Sequence, residues 1–295
     1  MQQQQVPSVA VLGTGKMGAA IARRLDQRGF KVSLWNRTRA RADAVGIGEV
    51  HDTAAEAAGS ADVVISILTG PEAVREAYLG ENGVLAGVTG QLFIDMTTAG
   101  PDVAPELEAE LGRLGSALLE APVLGSIGAI EAGRLLILVG GAEGDLARAR
   151  TVLDALGEIK HIGPLGSANR LKLTANSMLA GVSSLAAELQ AAGVAAGLRP
   201  EDVFFVLQRI SPLLEARRAG YLDHRYGPVS FALRDMLKDV SLALELFKGA
   251  GADVPQLEAV GGLYSDVARE HGDDEMSAIN ERFGASRGAA GNAPR

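Results

Sequence analysis

The chain has 295 residues, of which 47% are hydrophobic, 22% are charged and 4% are aromatic, and its formal net charge is −8. This composition is typical of a folded protein with a large core, and the acidic balance argues against a nucleic-acid partner, since such proteins usually carry a basic surface. There is no cysteine and the four histidines are scattered, so the sequence offers no disulfide, no thiol nucleophile and no metal-binding motif.

Two features of the sequence lead us to expect a cytoplasmic protein with no membrane partner. The first residues, MQQQQVPS, lack the basic and apolar regions of a signal peptide. No uninterrupted apolar run approaches the ~18 residues that a membrane span requires.

Hydrophobic patterning divides the chain near residue 163. Before it, short runs rich in valine, isoleucine and leucine alternate with helical segments, which predicts a parallel sheet with crossover helices. The predicted strands are residues 8–13, 31–35, 62–68, 91–96, 117–123 and 134–141. Beyond it we predict only helices, at residues 166–197, 200–210, 212–220, 229–249 and 255–271. The expected parts are an α/β domain (1–163), an all-helical domain (164–284) and a disordered tail (285–295).

The first predicted strand ends in a glycine-rich motif. Its residues are Gly13, Thr14, Gly15, Lys16, Met17 and Gly18. In the pattern G-x-G-x-x-G, the first glycine permits a tight turn, the second lets the backbone approach a pyrophosphate, and the third lets the helix pack closely on the strand. An isolated match would be a weak signal, but here a strand precedes the motif and a helix and second strand follow it. We therefore predict a Rossmann dinucleotide-binding domain.

The residues after the second strand bear on the choice of cofactor. Asn36, Arg37 and Thr38 stand where an NAD enzyme usually has an acidic residue for the ribose 2′-hydroxyl. A guanidinium and a hydroxyl instead suit a 2′-phosphate, so we predict NADP(H). The alternative interpretation is a loop with solvated basic residues.

Two polar loops follow later strands of the predicted sheet. Residues 95–101, DMTTAGP, precede a helix, and residues 120–128, EAPVLGSIG, are rich in small residues. Both leave the carboxyl edge of the sheet, where ligands of open α/β folds bind, so both are candidates for substrate contact. Each also has a simpler interpretation, as a helix cap or as a turn.

The helix that opens the second domain carries Lys172 and Asn176. They are four residues apart and therefore share one face of the helix. The sequence that follows is largely apolar, which predicts burial, and a buried cation without a partner is costly. Held by Asn176 and a carbonyl ligand, Lys172 could stabilise and protonate the alkoxide that forms on hydride transfer. The alternative is a lysine that reaches solvent from an apolar helix.

Six stretches in order, GTGKMG, NRT, DMTTAGP, EAPVLGSIGAIEAG, KLTAN and FALRDMLKDVSLAL, resemble the β-hydroxyacid dehydrogenase family. That family includes 3-hydroxyisobutyrate dehydrogenases, tartronate semialdehyde reductases and glyoxylate/succinic semialdehyde reductases, and the resemblance covers about residues 9–279. It implies a Rossmann domain joined by a long interdomain helix to an all-helical domain. It also implies a homodimer or homotetramer that associates through the helical part.

The resemblance further implies roles for individual residues. Lys172 takes the place of the catalytic lysine and Asn176 that of the asparagine that supports it. Besides the glycine-rich motif and residues 36–38, the implied cofactor contacts are Leu68, Thr69, Thr98 and Lys238. The implied substrate contacts are Thr97, Leu124, Gly125, Ser126, Phe231 and Asp239. A solvated ion pair would explain Lys238 and Asp239 equally well.

Leu124 departs from the family pattern, which often has a serine there to help hold the substrate carboxylate. Leucine cannot donate a hydrogen bond, but Ser126 and the backbone amides of residues 125–127 remain as anion donors. The Gly-Ser sequence resembles the glyoxylate/succinic semialdehyde branch. We therefore predict an NADPH-dependent reductase of a small aldehyde or keto acid. The alternatives are an imine reductase on the same fold, against which Lys172 argues, and a non-catalytic NADP-binding scaffold.

Overall fold

The structure is a computed structural model that describes residues 6–283. The tail predicted to be disordered, residues 285–295, lies outside the described residues. The chain divides into two compact units, one that ends at Lys172 and one that begins at Leu173. The division falls inside a long helix rather than near residue 163, because the first turn of that helix is hydrogen-bonded to the sheet of the first unit.

The first unit is built on one sheet with helices between its strands. Its strands are β1 (Val9–Leu12), β2 (Val32–Trp35), β3 (Glu49–Val50), β4 (Val63–Ser66), β5 (Leu92–Asp95), β6 (Ala117–Glu120), β7 (Val123–Leu124), β8 (Leu135–Gly140) and β9 (Gly157–Gly163). Its helices are α1 (Lys16–Gln27), α2 (Arg39–Asp43), α3 (Ala54–Gly59), α4 (Pro71–Leu79), α5 (Val103–Arg113), α6 (Ile127–Glu131) and α7 (Glu143–Leu153), with a 3-10 turn at Val84–Ala86. The strand order is β3-β2-β1-β4-β5-β6-β8-β7, and β9 pairs with β8.

The sheet buries both of its faces, as a doubly wound sheet must. Val9 and Val11 of β1 belong to one hydrophobic cluster, whereas Ala10 and Leu12 belong to a second cluster on the opposite face. This alternation follows from the two-residue period of a strand. It explains why the sequence of each central strand is a continuous apolar run.

The prediction of a parallel sheet is correct for β1 to β6 and for the pair of β8 and β9, and it is wrong for the pairing of β8 with its other neighbours. β8 runs antiparallel to both β6 and β7. Parallel strands need a crossover of about a dozen residues or more, and the link between β7 and β8 is shorter than that. The predicted strand over residues 117–123 is interrupted before β7, at Ala121 and Pro122, and β9 was missed because its residues are only half-buried or exposed.

The second unit is helical, as predicted. Its helices are α8 (Ser167–Ala195), which begins in the first unit, α9 (Pro200–Ile210), α10 (Arg218–Asp223), α11 (Leu233–Gly249) and α12 (Pro255–His271), with 3-10 turns at Pro212–Arg217 and Met276–Arg282. The single helix predicted for residues 212–220 is instead a 3-10 turn followed by α10. The helix predicted from residue 229 begins at Leu233, because Pro228 and an extended Ala232 precede it.

Helix α8 is long and apolar enough to cross a membrane, judged by length and composition alone. The sequence of α8 has no long uninterrupted apolar run because polar residues such as Asn176 and Ser183 break it. One face of α8 packs into the core of the second unit through Ala180 and Ala187. A core helix of a globular unit has the same length and composition, so hydropathy alone assigns no membrane to this chain.

Candidate active site

The glycine-rich motif has the shape that a dinucleotide needs. Gly13 has φ +96°, and a Cβ there would lie 2.4 Å from the carbonyl oxygen of Ile67. A Cβ on Gly18 would lie 1.9 Å from the carbonyl oxygen of Gly13, so α1 can approach β1 this closely only with glycine. Gly15, the N-cap of α1, faces open space with no heavy atom within 4 Å of an added Cβ. The open backbone and the helix N-terminus fit a pyrophosphate.

We call residues 13–18 the glycine-rich cradle. The side chains of Thr14 and Asn36 complete it. The Asn36 side-chain oxygen accepts a hydrogen bond from the Thr14 amide at 3.1 Å, and its Nδ2 donates to the carbonyl oxygen of Thr38 at 3.0 Å. Thr14 Oγ1 is buried and has no hydrogen-bond partner among residues 6–283. A buried hydroxyl without a partner is costly, so the geometry fits a ligand that supplies one.

Arg37 lies on the loop after β2, with most of its side chain exposed. Its Nη1 is 3.1 Å from the Glu76 carboxylate. An exposed ion pair of this kind contributes little stability, so the guanidinium remains available to a stronger anion. Thr38 is the N-cap of α2, and its hydroxyl makes no capping hydrogen bond.

A row of buried polar side chains ends three neighbouring strands. Ser66, Asp95 and Glu120 are the last residues of β4, β5 and β6 and are paired in register. None is more than 2% exposed. Because parallel strands keep their register partners on the same face, these side chains lie next to one another at the carboxyl edge of the sheet. We call them the polar row.

Asp95 is the central member of the polar row. Its Oδ1 accepts hydrogen bonds from Ser66 Oγ at 2.8 Å and from the Thr97 amide at 3.1 Å. Ser66 Oγ is also 2.8 Å from the hydroxyl of Tyr78. Burial raises the pKa of Asp95 to about 6, and the neighbouring Glu120 contributes in the same direction.

Asp95 positions Thr97 directly and Leu68 through Thr97, and both of these residues were predicted to contact ligands. Thr97, which Asp95 holds, is 1% exposed, and its Oγ1 accepts a hydrogen bond from the Leu68 amide at 3.0 Å. The structure therefore ties together the loops after β4 and β5. Thr97 fixes these loops with its hydroxyl, while Thr98 beside it is half-buried and Thr69 is exposed.

Glu120 connects the sheet to the start of α8. Its two carboxylate oxygens accept hydrogen bonds from the Ala168 amide at 2.8 Å and from Asn169 Nδ2 at 2.7 Å. Asn169 Oδ1 in turn accepts from the Ala99 amide at 3.1 Å. Burial raises the pKa of Glu120, although its hydrogen bonds oppose that shift. Asp95 and Glu120 begin the two predicted polar loops, but their part as hydrogen-bond acceptors, like that of Asn169, was not predicted. The one available signal was an acidic residue at the end of two apolar strands.

In the second unit the structure brings Asn176, Lys238 and Asp239 together. Asn176 Nδ2 donates to Asp239 Oδ2 at 2.5 Å, and Lys238 Nζ lies 2.9 Å from Asp239 Oδ1. Asp239 is 2% exposed. The interpretation of Lys238 and Asp239 as a solvated ion pair is therefore wrong for Asp239. Because a carboxylate only accepts, the amide nitrogen of Asn176 must face Asp239 and its oxygen points elsewhere.

The remaining predicted substrate residues have different surroundings. Leu124 is half-buried in β7, whereas Gly125 and Ser126 after it are exposed. Gly125 has φ +143°, a conformation that favours glycine. Phe231 packs against the hydrophobic cluster of the second unit, and its amide donates to Glu275 at 3.0 Å.

The first unit thus has the sheet, the glycine-rich cradle and the polar loops of a dinucleotide-dependent dehydrogenase. Residues 8–165 match the NAD-binding domain of 6-phosphogluconate dehydrogenase, and residues 166–282 match the family described as NAD-binding of NADP-dependent 3-hydroxyisobutyrate dehydrogenase. The chain belongs to the β-hydroxyacid dehydrogenase family, and its activity is that of an NAD(P)-dependent oxidoreductase acting on hydroxyl and carbonyl groups.

Relatives with different substrates in their names resemble the chain to a similar degree. It is 29% identical to glyoxylate/succinic semialdehyde reductase 2 of Arabidopsis thaliana, over 95% of this chain and 80% of the plant protein. It is 32% identical to 3-hydroxyisobutyrate dehydrogenase of Pseudomonas aeruginosa, over 93% and 98%. The structure of Mycobacterium tuberculosis 3-hydroxyisobutyrate dehydrogenase with L-serine superposes with a TM-score of 0.79 and 30% identity, over 94% and 99%.

The raised pKa of Asp95 predicts a pH-dependent cost to stability. The folded-state value near 6 lies above the ordinary 3.8, so between these values the folded protein holds a proton that the unfolded chain releases. This contribution to stability is present below about pH 4 and is lost as the pH rises to about 6. The variant Asp95→Asn has no such titration. Its free energy of unfolding relative to wild type should therefore increase by on the order of 2 kcal/mol between pH 4 and pH 7.

Urea unfolding at the two pH values measures this difference. Asp253→Asn, at an exposed position, is the control and should show a difference that does not change with pH. A constant difference for Asp95→Asn would contradict the raised pKa.

Proposed function

We propose that this protein is an NADPH-dependent reductase of small aldehydes or keto acids such as glyoxylate or succinic semialdehyde, with Lys172 as the general acid. One observation carries the proposal. The hydrogen bonds that Asn169 donates to Glu120 and accepts from the Ala99 amide hold the first turn of α8 at the carboxyl edge of the sheet. Ligands of this fold bind at that edge, and Lys172 follows Asn169 by one helical turn.

The chemistry divides between the cofactor and the chain. Bound NADPH supplies the hydride, which adds to the carbonyl carbon. Lys172 donates a proton to the carbonyl oxygen as negative charge develops on it, and the neutral amine regains a proton from solvent. Asn176 orients this lysine: with its nitrogen held by Asp239, its oxygen is the atom that can accept from an ammonium one turn earlier.

The preference for NADPH is supported by the loop after β2. Residues 36–39 include no acidic side chain for a ribose 2′-hydroxyl, whereas Arg37 and Thr38 offer a guanidinium and a hydroxyl. Asn36, which directly follows the strand, uses its side chain to bind the backbone of Thr14 and Thr38. The name of the second matching family, which is NADP-dependent, agrees with this preference.

The choice of a carboxylate-bearing substrate is supported by the exposed loop at Gly125 and Ser126. Its amides and the Ser126 hydroxyl are suited to hold an anion, although Leu124 adds no donor. An apolar Leu124 would also suit an imine, but protonation of an alkoxide is the task that a lysine performs. We therefore rank a small acid with an aldehyde or ketone group first.

We also propose that the protein is a homodimer that associates through its helical unit. Met178 and Leu185 lie seven residues apart on one face of α8 and are 68% and 55% exposed, and Ile210 at the end of α9 is 79% exposed. Exposed apolar side chains spaced along a helix face indicate a protein interface. A second copy of the chain presents the same apolar face, so two copies can bury these side chains against each other.

Lys172→Ala tests the proposed mechanism. The variant lacks the proton donor but keeps the glycine-rich cradle, so kcat for glyoxylate or succinic semialdehyde should fall by ~10²-fold or more while the Kd for NADPH stays nearly constant. The rate of NADPH oxidation measures kcat, and fluorescence titration measures Kd. Lys31→Ala, an exposed lysine before β2, is the control. Near-normal turnover of Lys172→Ala, or a wild type that reduces a cyclic imine but neither aldehyde, would refute the proposal.

Arg37→Ala tests the choice of cofactor. Loss of a charge-assisted hydrogen bond to the 2′-phosphate should raise the KM for NADPH by about 10- to 100-fold, and the KM for NADH should not change. Steady-state kinetics with both cofactors measure this, and Arg41→Ala on the adjacent helix is the matched control. An equal effect on both cofactors would mean that Arg37 does not recognise the phosphate.

Met178→Glu combined with Leu185→Glu tests the dimer. Two carboxylates on the apolar face cannot be buried against a second copy without a large cost, so the variant should be a monomer where the wild type is a dimer. Light scattering coupled to size-exclusion chromatography measures the mass. Leu79→Glu, an exposed leucine of the first unit, should leave the dimer intact. A wild-type monomer that binds lipid vesicles would instead assign this face to a membrane.

A further inference from the structure

Glu120 is buried where a carboxylate is expensive to place. The residue has no exposed surface. A Cβ on Gly140, its register partner on β8, would lie 2.4 Å from Glu120 Oε1, so the glycine makes room for the carboxylate. Apolar side chains of similar volume usually stabilise a core at least as well as a buried charge. Stability therefore does not explain why a carboxylate ends β6.

The carboxylate of Glu120 fixes the orientation of the groups that donate to it. Glu120 can only accept, so the nitrogen of the Asn169 amide must face it, and the Asn169 oxygen must then face the Ala99 amide. A second Glu120 oxygen accepts from the Ala168 amide in the same turn of α8. Each of these three hydrogen bonds has one possible donor and one possible acceptor, which fixes the turn in one orientation.

We propose that Glu120 and Asn169 are positioning residues that hold the first turn of α8, and with it Lys172, against the loop that carries Thr97 and Thr98. The proposal rests on the proposed function, in which Lys172 is the proton donor. Lys172 follows Asn169 by three residues and lies above it on the same side of the helix. A displacement of about 1 Å is enough to lower the rate of a positioned reaction by as much as 10²-fold.

An exchange of the two side chains tests this role. In Glu120→Gln one of the acceptor oxygens becomes an amide nitrogen, which meets the nitrogen of Asn169. In Asn169→Asp two carboxylates face each other. In the double variant E120Q/N169D, the glutamine oxygen accepts from Ala168, its nitrogen donates to the new aspartate, and that aspartate accepts from Ala99. The double variant has all three hydrogen bonds and the charge of the wild type.

Each single variant should therefore lower kcat by about tenfold, and the double variant should recover to within about threefold of wild type. The Kd for NADPH should change by less than about twofold in all three, since the glycine-rich cradle is untouched. Glu158→Gln and Asn82→Asp, at exposed positions, make the same chemical changes and should leave kcat unchanged. Thermal unfolding of every variant shows how much of each is folded.

The outcomes separate the two proposals. Folded single variants with wild-type kcat, or a folded double variant whose kcat stays as low as that of the singles, would overturn the positioning role. If the single variants do not fold, the kcat of the double variant decides alone: recovery supports the role and a low kcat refutes it. Failure of the proposed function would instead show as an active Lys172→Ala variant, whatever the result at Glu120 and Asn169.

Discussion

A buried carboxylate needs hydrogen-bond donors to offset its loss of water. In this protein the donors come from the segments that form the site. The polar row satisfies this requirement at the carboxyl edge of the sheet. Asp95 draws its donors from Ser66 and from the loop after β5, and Glu120 draws its donors from the first turn of α8. The same hydrogen bonds that offset the burial of these charges set the arrangement of the loops and of the helix start.

The architecture is largely encoded in local patterns, whereas the polar row is not. Apolar runs predict the central strands because both faces of each strand are buried. The three glycines of the motif predict the cradle because Gly13 and Gly18 avoid steric conflicts and Gly15 leaves the backbone open. The antiparallel direction of β8 was not predicted, because pairing direction depends on the length of the connection rather than on the strand's own residues. The role of Asn169 was not predicted, because its hydrogen-bond partners are 49 and 70 residues away in the chain.

Some site residues could likewise be predicted from local patterns, and others depend on contacts between distant parts of the chain. Lys172 and Asn176 stand out from the sequence because a lysine and an amide interrupt an apolar helix on one face. The burial of Asp239 depends on the packing of α11 against its neighbours, so the sequence left it open to interpretation as a surface charge. Thr97 resembles a ligand-binding residue in sequence, and in the structure its hydroxyl holds the backbone of a second loop.

We propose that the polar row presents Lys172 to a carbonyl group at the cofactor. A crystal structure with NADP⁺ and the hydroxy acid product of succinic semialdehyde or glyoxylate measures this directly. We expect Lys172 Nζ to lie within about 3.2 Å of the product's hydroxyl oxygen, and the carbon that bears this oxygen to lie about 3.5 Å from C4 of the nicotinamide. A structure in which Lys172 points into solvent while another side chain binds that oxygen would contradict this role of Lys172.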